Sequence, residues 1–130
     1  MIELNKEITR EMNQYLEWTT IEEILVRNKK MFRFQMMLKP EHMAQNIDAL
    51  EFSVRSYNSL KRAGINTVGE LVEECYAKPD ATSRKQLQRY RNLGKNSADE
   101  ILIKLFFYQF SILPEYRKKA YMKKVAEMNS

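Results

Sequence analysis

Glycine and proline are scarce, three of each in 130 residues. That scarcity excludes folds that depend on many tight turns, such as β-sandwiches and β-barrels. Cysteine occurs once, at Cys75, so there is no disulfide framework and a reducing cytoplasm is the expected compartment. Cys75 falls on an apolar helix face and reads as a core residue. Histidine also occurs once, as His42 beside Pro40 and Glu41. With no second ligand near it, no metal site is expected and His42 reads as a surface residue. No apolar run is long enough to span a bilayer: the longest, residues 101–113, contains Lys104 and Gln109. The stretch from Met1 to Glu7 lacks the basic-then-apolar layout of a secretory leader. There are no paired carboxylates in an apolar setting and no phosphate loop of the nucleotide-hydrolase type. A non-enzymatic protein without a cofactor is therefore expected.

What the sequence does contain is leucine, glutamate, lysine, methionine and arginine, with 44% hydrophobic and 30% charged residues. That composition predicts a soluble all-α fold, one compact helical domain with extensions. The net charge of +5 is compatible with nucleic acid and is unevenly spread. Residues 1–46 carry seven basic and seven acidic side chains, 47–112 ten and eight, and 113–130 five and two. Three parts are expected: an amino-terminal helical extension (1–46), a central domain (47–112) and a basic carboxyl-terminal helix (113–130).

In the first part, Leu4, Ile8, Met12, Tyr15 and Leu16 have helical spacing, which predicts an amphipathic helix over 2–18. Thr20-Ile21-Glu22-Glu23 has the capping-box pattern, and the helix it opens is expected to end before Pro40. The result is a helical hairpin whose apolar faces need a further partner, either the rest of the protein or a second copy in a homodimer. Met31, Met36, Met37 and Met43 read as packing residues or an adaptable interface, not a cofactor box.

In the central part, Ser53 is a plausible cap for a helix bearing Val54, Tyr57, Leu60 and Lys61, and Gly64 stops that helix. Thr67-Val68-Gly69-Glu70 is a second capping box, opening a helix with Val68, Leu71, Val72 and Cys75. A polar loop over 78–83 and a short basic helix, Arg84 to Arg91, follow. The turn Arg91-Asn92-Leu93-Gly94-Lys95-Asn96-Ser97 then leads into a helix capped by Asn96 or Ser97, with Ile101, Leu102, Leu105, Phe106 and Phe110 facing inward. Helix, glycine-containing connection, helix thus occurs twice, at Gly64 and Gly94. This is the helix-hairpin-helix-like arrangement that can present backbone amides to phosphates.

These segments resemble the C-terminal domain of the bacterial RNA polymerase alpha subunit. The resemblance rests on Ile47-Asp48-Ala49-Leu50-Glu51-Phe52-Ser53-Val54-Arg55-Ser56-Tyr57-Asn58-Ser59-Leu60-Lys61, on Gly64-Ile65-Asn66-Thr67-Val68-Gly69-Glu70-Leu71, and on Asn92-Leu93-Gly94-Lys95-Asn96-Ser97 with Glu100-Ile101. It implies a compact helical domain that grips the minor groove of A·T-rich DNA and touches sigma factor and activators. By position, Arg55 would enter the groove with Asn58 beside it, a guanidinium being suited to the concentrated negative potential there. Asn92, Gly94, Lys95, Asn96 and Ser97 would meet the phosphate backbone, Glu100 would orient neighbouring donors, and Asp48 and Glu51 would face a protein partner such as RNA polymerase or sigma factor.

The sequence departs from that family in three places. Asn96 stands where the family usually has a second lysine, Ala49 replaces an acidic residue, and the segment between Val72 and Asn92 is longer. It opens on a methionine without the large amino-terminal domain of alpha, so a stand-alone relative with extra helical flanks is expected. Two functions from different classes follow. One is a transcription-associated DNA-binding protein, nucleoid-associated when bound. The other is a protein-interaction module that binds polymerase, sigma factor or an activator without DNA.

The carboxyl flank adds an aromatic-rich end, Phe106, Phe107, Tyr108, Phe110, Ile112 and Leu113, for which the amino-terminal hairpin is the simplest cover. Pro114 is placed as the first residue of a last helix. Tyr121 and Val125 are expected to pack inward there, with Arg117, Lys118, Lys119, Lys123 and Lys124 solvated or serving as a second phosphate-contacting strip.

Overall fold

The computed structural model describes residues 4–28, 31–75 and 95–130. Among the described residues the fold is all-α. Its helices are α1 (Lys6–Asn13), α2 (Ile21–Arg27), α3 (Pro40–Met43), a 3-10 turn (Ile47–Leu50), α4 (Val54–Arg62), α5 (Val68–Cys75), α6 (Lys95–Ser111) and α7 (Glu115–Met128). No described helix is long and apolar enough to cross a membrane. The protein divides into two compact units, one spanning Leu38–Leu105 and the other combining Glu3–Met37 with Phe106–Ser130. The predicted polar loop over 78–83 and the basic helix over 84–91 lie outside the described residues.

The unit spanning Leu38–Leu105 is built from short helices whose ends are fixed by side chains. Ser53 caps α4, its Oγ accepting the Ser56 N–H at 3.3 Å. Gly64, at φ +82°, takes the left-handed conformation that ends α4, a geometry that carries no Cβ penalty only in glycine. At the start of α5 the capping box is complete: Glu70 N–H donates to Thr67 Oγ1 at 3.1 Å, and Thr67 N–H donates to Glu70 Oε1 at 3.0 Å. Asn66 N–H donates to the same Glu70 oxygen at 3.1 Å. These donors, the Asn66 amide foremost, hold the Glu70 carboxyl below its usual range.

The residues that lead into the 3-10 turn are tied to the start of α5 by an isolated antiparallel bridge between Asn46 and Thr67. Ile47 N–H donates to Asn66 O at 3.1 Å and Val68 N–H to Gln45 O at 2.8 Å. α5 lies close to α3 as well, since a Cβ built on Gly69 would stand 3.1 Å from Met43 O. Ile47, Leu60, Val68, Leu71, Ile101 and Leu105 are fully buried, and each such residue contributes about 1.5–3 kcal/mol relative to exposure. Cys75 is buried with them, and loss of solvent pushes its thiol up to about 12.

α4 buries a different face from the one its apolar residues predict. Ser56, Ser59 and Leu60 are inside, whereas Val54 is 76% exposed. Small serines let a helix approach its neighbours closely, and a first-turn side chain points back past the helix end. Asn96 and Ser97, expected as caps of α6, instead lie within its first turn, because the helix has already begun at Lys95.

The second unit departs furthest from expectation. α1 is shorter than the predicted 2–18. It is capped by Asn5, whose Oδ1 accepts the Glu7 and Ile8 N–H groups at 3.0 and 3.2 Å. It ends at Asn13, whose side chain is drawn into the next helix: Asn13 Oδ1 accepts the Ile21 N–H at 2.7 Å and its Nδ2 donates to Glu22 at 2.8 Å. α2 begins at the predicted Thr20 cap but stops at Arg27 instead of continuing toward Pro40. Residues 32–39 are non-helical, and several of their backbone groups are satisfied by side chains from far along the sequence. Arg33 N–H donates to Asn129 Oδ1 at 2.9 Å, and Asn129 Nδ2 donates back to Arg33 O at 2.9 Å. Tyr121 donates its hydroxyl to Gln35 O at 2.8 Å, and Met37 N–H donates to Gln109 Oε1 at 2.5 Å. These bonds replace the intrahelical ladder.

This non-helical segment covers the aromatic end of α6. Phe106 is fully buried, with the rings of Phe32 and Phe34 at 5.0 and 5.2 Å and that of Tyr121 at 6.4 Å. The cover therefore comes from the amino-terminal part of the same molecule, through a non-helical strip and the Tyr15 ring beside Phe110, not through a hairpin of two long helices. Pro114 precedes α7 as its N-cap instead of serving as its first residue. Lys118, expected in solvent, is buried. Its ammonium meets Glu11 at 2.6 Å and lies 4.8 Å from the centre of the Phe110 ring, contacts that offset the cost of burying a charge.

Candidate nucleic-acid interface

The unit spanning Leu38–Leu105 brings α4 and the first turns of α6 together at one hydrogen-bonded point. Ser53, the cap of α4, donates its hydroxyl to Glu100 Oε1 at 2.8 Å, and its backbone N–H reaches the same oxygen at 3.4 Å. Ser53 thus satisfies an α4 amide with its lone pair and holds α6 with its proton. Glu100 lies in the second turn of α6, so the start of α4 is fixed beside the start of α6.

Arg55 is the second residue of α4 and is exposed. Among the described residues no carboxylate pairs with it. A cation in the first turn lies where the helix dipole is already positive, which costs about 0.3–1 kcal/mol relative to a neutral residue. α4 has no acidic residue in that turn, so dipole and guanidinium add. Arg55 is thus an exposed cation near a helix start whose cap, Ser53, is held by the Glu100 carboxylate, a placement that adds nothing to helix stability.

Asn58 is exposed three residues on, at the same face of α4. Arg62 continues this stripe and is also exposed. Residue type and context did not single it out, although the i, i+3, i+7 spacing from Arg55 was there to read. Lys61 is engaged locally: its ammonium donates to Asn66 Oδ1 at 3.0 Å and lies 5.4 Å from the Tyr57 ring centre. Asn96 is exposed in the first turn of α6, but the side chain of Ser97 is buried. Of Lys95 only the backbone position at the start of α6 is described, and Asn92 and Gly94 lie outside the described residues.

The acidic pair occupies a separate element. Asp48 and Glu51 are both exposed, at the 3-10 turn and its end. Asn46 caps this turn, its Oδ1 accepting the Asp48 N–H at 2.9 Å. Glu51 has φ +56°, a left-handed conformation uncommon for a residue with a side chain. Its N–H donates to Asp48 O at 3.1 Å, which links the two acids. Among the described residues no group of three or more His, Cys, Asp or Glu side chains could hold a metal ion.

Residues 36–106 match the family described as the C-terminal domain of the alpha subunit of bacterial RNA polymerase. That range contains the whole compact stretch Leu38–Leu105, including α4, the 3-10 turn and the start of α6. The sequence is 40% identical over 84 residues to the DNA-directed RNA polymerase subunit alpha of Carboxydothermus hydrogenoformans, covering 60% of this protein and 24% of that one. It is 46% identical over 70 residues to the same subunit of Symbiobacterium thermophilum, covering 54% and 20%. For the subunit of Moorella thermoacetica the identity is 48% over 63 residues, covering 48% and 18%. The aligned part therefore spans a quarter or less of these relatives' length. No solved structure matches the protein.

Proposed function

The protein belongs to the family of the C-terminal domain of the bacterial RNA polymerase alpha subunit, and from that premise we propose that it is a non-enzymatic, transcription-associated DNA-binding protein of the cytoplasm. Arg55 enters the minor groove of A·T-rich DNA, with Asn58 beside it. The start of α6, with Lys95, Asn96 and the backbone at Ser97, meets the adjoining phosphates, together with Asn92 and Gly94 just before it. Glu100 acts from behind, by holding Ser53 and so the helix that carries Arg55.

The observation that carries this reading is the exposed Arg55, without a carboxylate partner among the described residues, in a first turn that lacks any acid. A narrow A·T-rich groove concentrates negative potential and admits a planar guanidinium. The test compares wild type and Arg55→Ala on A-tract and G·C-rich duplexes over a salt series. The expected loss on the A-tract is about 1–3 kcal/mol, with a smaller loss on the G·C-rich duplex. Equal affinity of both proteins for both duplexes would refute it.

A second reading is supported by Asp48 and Glu51, two exposed acids linked by a backbone bond on an element apart from Arg55. In this reading the same unit is a protein-interaction module that binds RNA polymerase, sigma factor or an activator through these acids, without DNA binding. Retention of polymerase from nuclease-treated extract by wild type, and its loss with Asp48→Asn combined with Glu51→Gln, would support it. A homodimer through the flanking helices is checked by sedimentation of the full-length protein.

A further inference from the structure

The basic carboxyl-terminal helix lies outside the residues that match the family, and its side chains are sorted in a way the net charge alone does not reveal. Lys118 is withdrawn into the unit and neutralised by Glu11 and Glu115 at 2.6 and 3.6 Å. Arg117, Lys119, Lys123 and Lys124 remain exposed, and among the described residues none of them has an ion-pair partner. At 100° per residue, Arg117 and Lys124 fall on one row of the helix and Lys119 and Lys123 on another. Tyr116 and Ala120 form the outward ridge between these rows, with Glu127 at its far end. Tyr116 is 80% exposed.

We infer that α7 is a second, sequence-independent contact for duplex DNA, its two cation rows meeting phosphates on either side of the ridge. A helix with side chains is about 10–12 Å across, and the major groove is about 12 Å wide with phosphates along both walls. Arg117 and Lys124 are separated by about 10 Å of helix axis, the axial length of about three phosphates on one strand. A membrane surface fits less well: a helix lying on lipid needs a free apolar face, and Tyr121, Met122 and Val125 of α7 are buried in its own unit.

This inference rests on DNA as the ligand class proposed above, but not on the groove contact of Arg55. The test uses the full-length protein with Arg117→Gln, Lys119→Gln, Lys123→Gln and Lys124→Gln together. Wild type, Arg55→Ala and a charge-retaining variant (Arg117→Lys, Lys119→Arg, Lys123→Arg, Lys124→Arg) serve as comparisons. Binding to A-tract and G·C-rich duplexes is measured against salt. The neutralised protein is expected to lose affinity equally for both duplexes, on the order of tenfold to a hundredfold at low salt. Its log–log salt slope should be shallower by about 3–4 units, one for each phosphate contact removed. The charge-retaining protein should keep the wild-type slope, and the ratio of the two affinities should not change. An unaltered slope in the neutralised protein overturns the inference, as does loss of binding to phosphatidylserine vesicles with DNA binding intact. Arg55→Ala reports separately: failure to change the A-tract preference removes the groove reading and leaves the slope result for α7 standing.

Discussion

Ser53 and Glu100 share a single hydrogen-bonded oxygen pair, Oγ to Oε1 at 2.8 Å, that joins the start of α4 to α6. Because Ser53 also accepts the Ser56 amide, one hydroxyl serves a helix cap and a tertiary link at once. Ser53→Ala is expected to lower the free energy of unfolding by about 1–2 kcal/mol, the usual size of a lost cap plus an unsatisfied partner. Glu100→Gln keeps an acceptor for the hydroxyl and should cost less. Urea unfolding monitored by circular dichroism checks the order, and a Glu100→Gln loss equal to or above that of Ser53→Ala would contradict it.

Glu70 links stability to acidity. Its carboxyl is held below the usual range by the Asn66 and Thr67 amides, so its contribution is fully present above the ordinary glutamate value. It is lost as pH falls through the lowered folded value. Urea midpoints of wild type should therefore drop as pH falls below the ordinary glutamate value of 4.5, while those of Glu70→Gln should drop less over the same range. Parallel pH profiles would show that the box does not depend on the charge.

Burial keeps the Cys75 thiol protonated, its ordinary titration being pushed up to about 12. A thiol without its thiolate is a poor nucleophile. Native protein at pH 8 is expected to react with a disulfide reagent only at its rate of opening, and within seconds once unfolded in urea. Fast reaction of the folded protein would place Cys75 at the surface.

Asn129 is the most consequential residue of the carboxyl end. It is buried, bridges both backbone groups of Arg33 and caps the Val125 carbonyl at 2.7 Å. Asn129→Ala leaves those groups unsatisfied and should cost about 2–4 kcal/mol. A free terminus would cost close to nothing. Thermal unfolding of the variant distinguishes the two.

Much of the fold could be read from local signals because those signals act locally. The caps at Thr20 and Ser53, the box at Thr67 and Glu70 and the left-handed Gly64 all involve partners within a few residues. The segment after Arg27 could not be read in that way. Its apolar spacing fits a helix, but the groups that decide its conformation belong to Gln109, Tyr121 and Asn129, the last of them 96 residues from Arg33. Lys118 was unreadable for the same reason, since its burial depends on Glu11, 107 residues away. At the interface, Arg55 and Asn58 were singled out by the family resemblance and both are exposed, but the buried serines of α4 did not follow from apolar periodicity. The Ser53–Glu100 link, at a separation of 47 residues, has no local signature.

The bond between Arg33 and Asn129 also sets an order of events during synthesis. The unit spanning Leu38–Leu105 is nearly continuous in sequence and lies between the two arms of the other. It can be completed while the last helix is still within the ribosome. In the first arm, the backbone groups of Arg33 and Gln35 gain their partners only once α7 has emerged and supplied Asn129 and Tyr121. Closing so distant a pairing is slow relative to local helix formation, so the unit that joins the two arms is the later of the two to be completed.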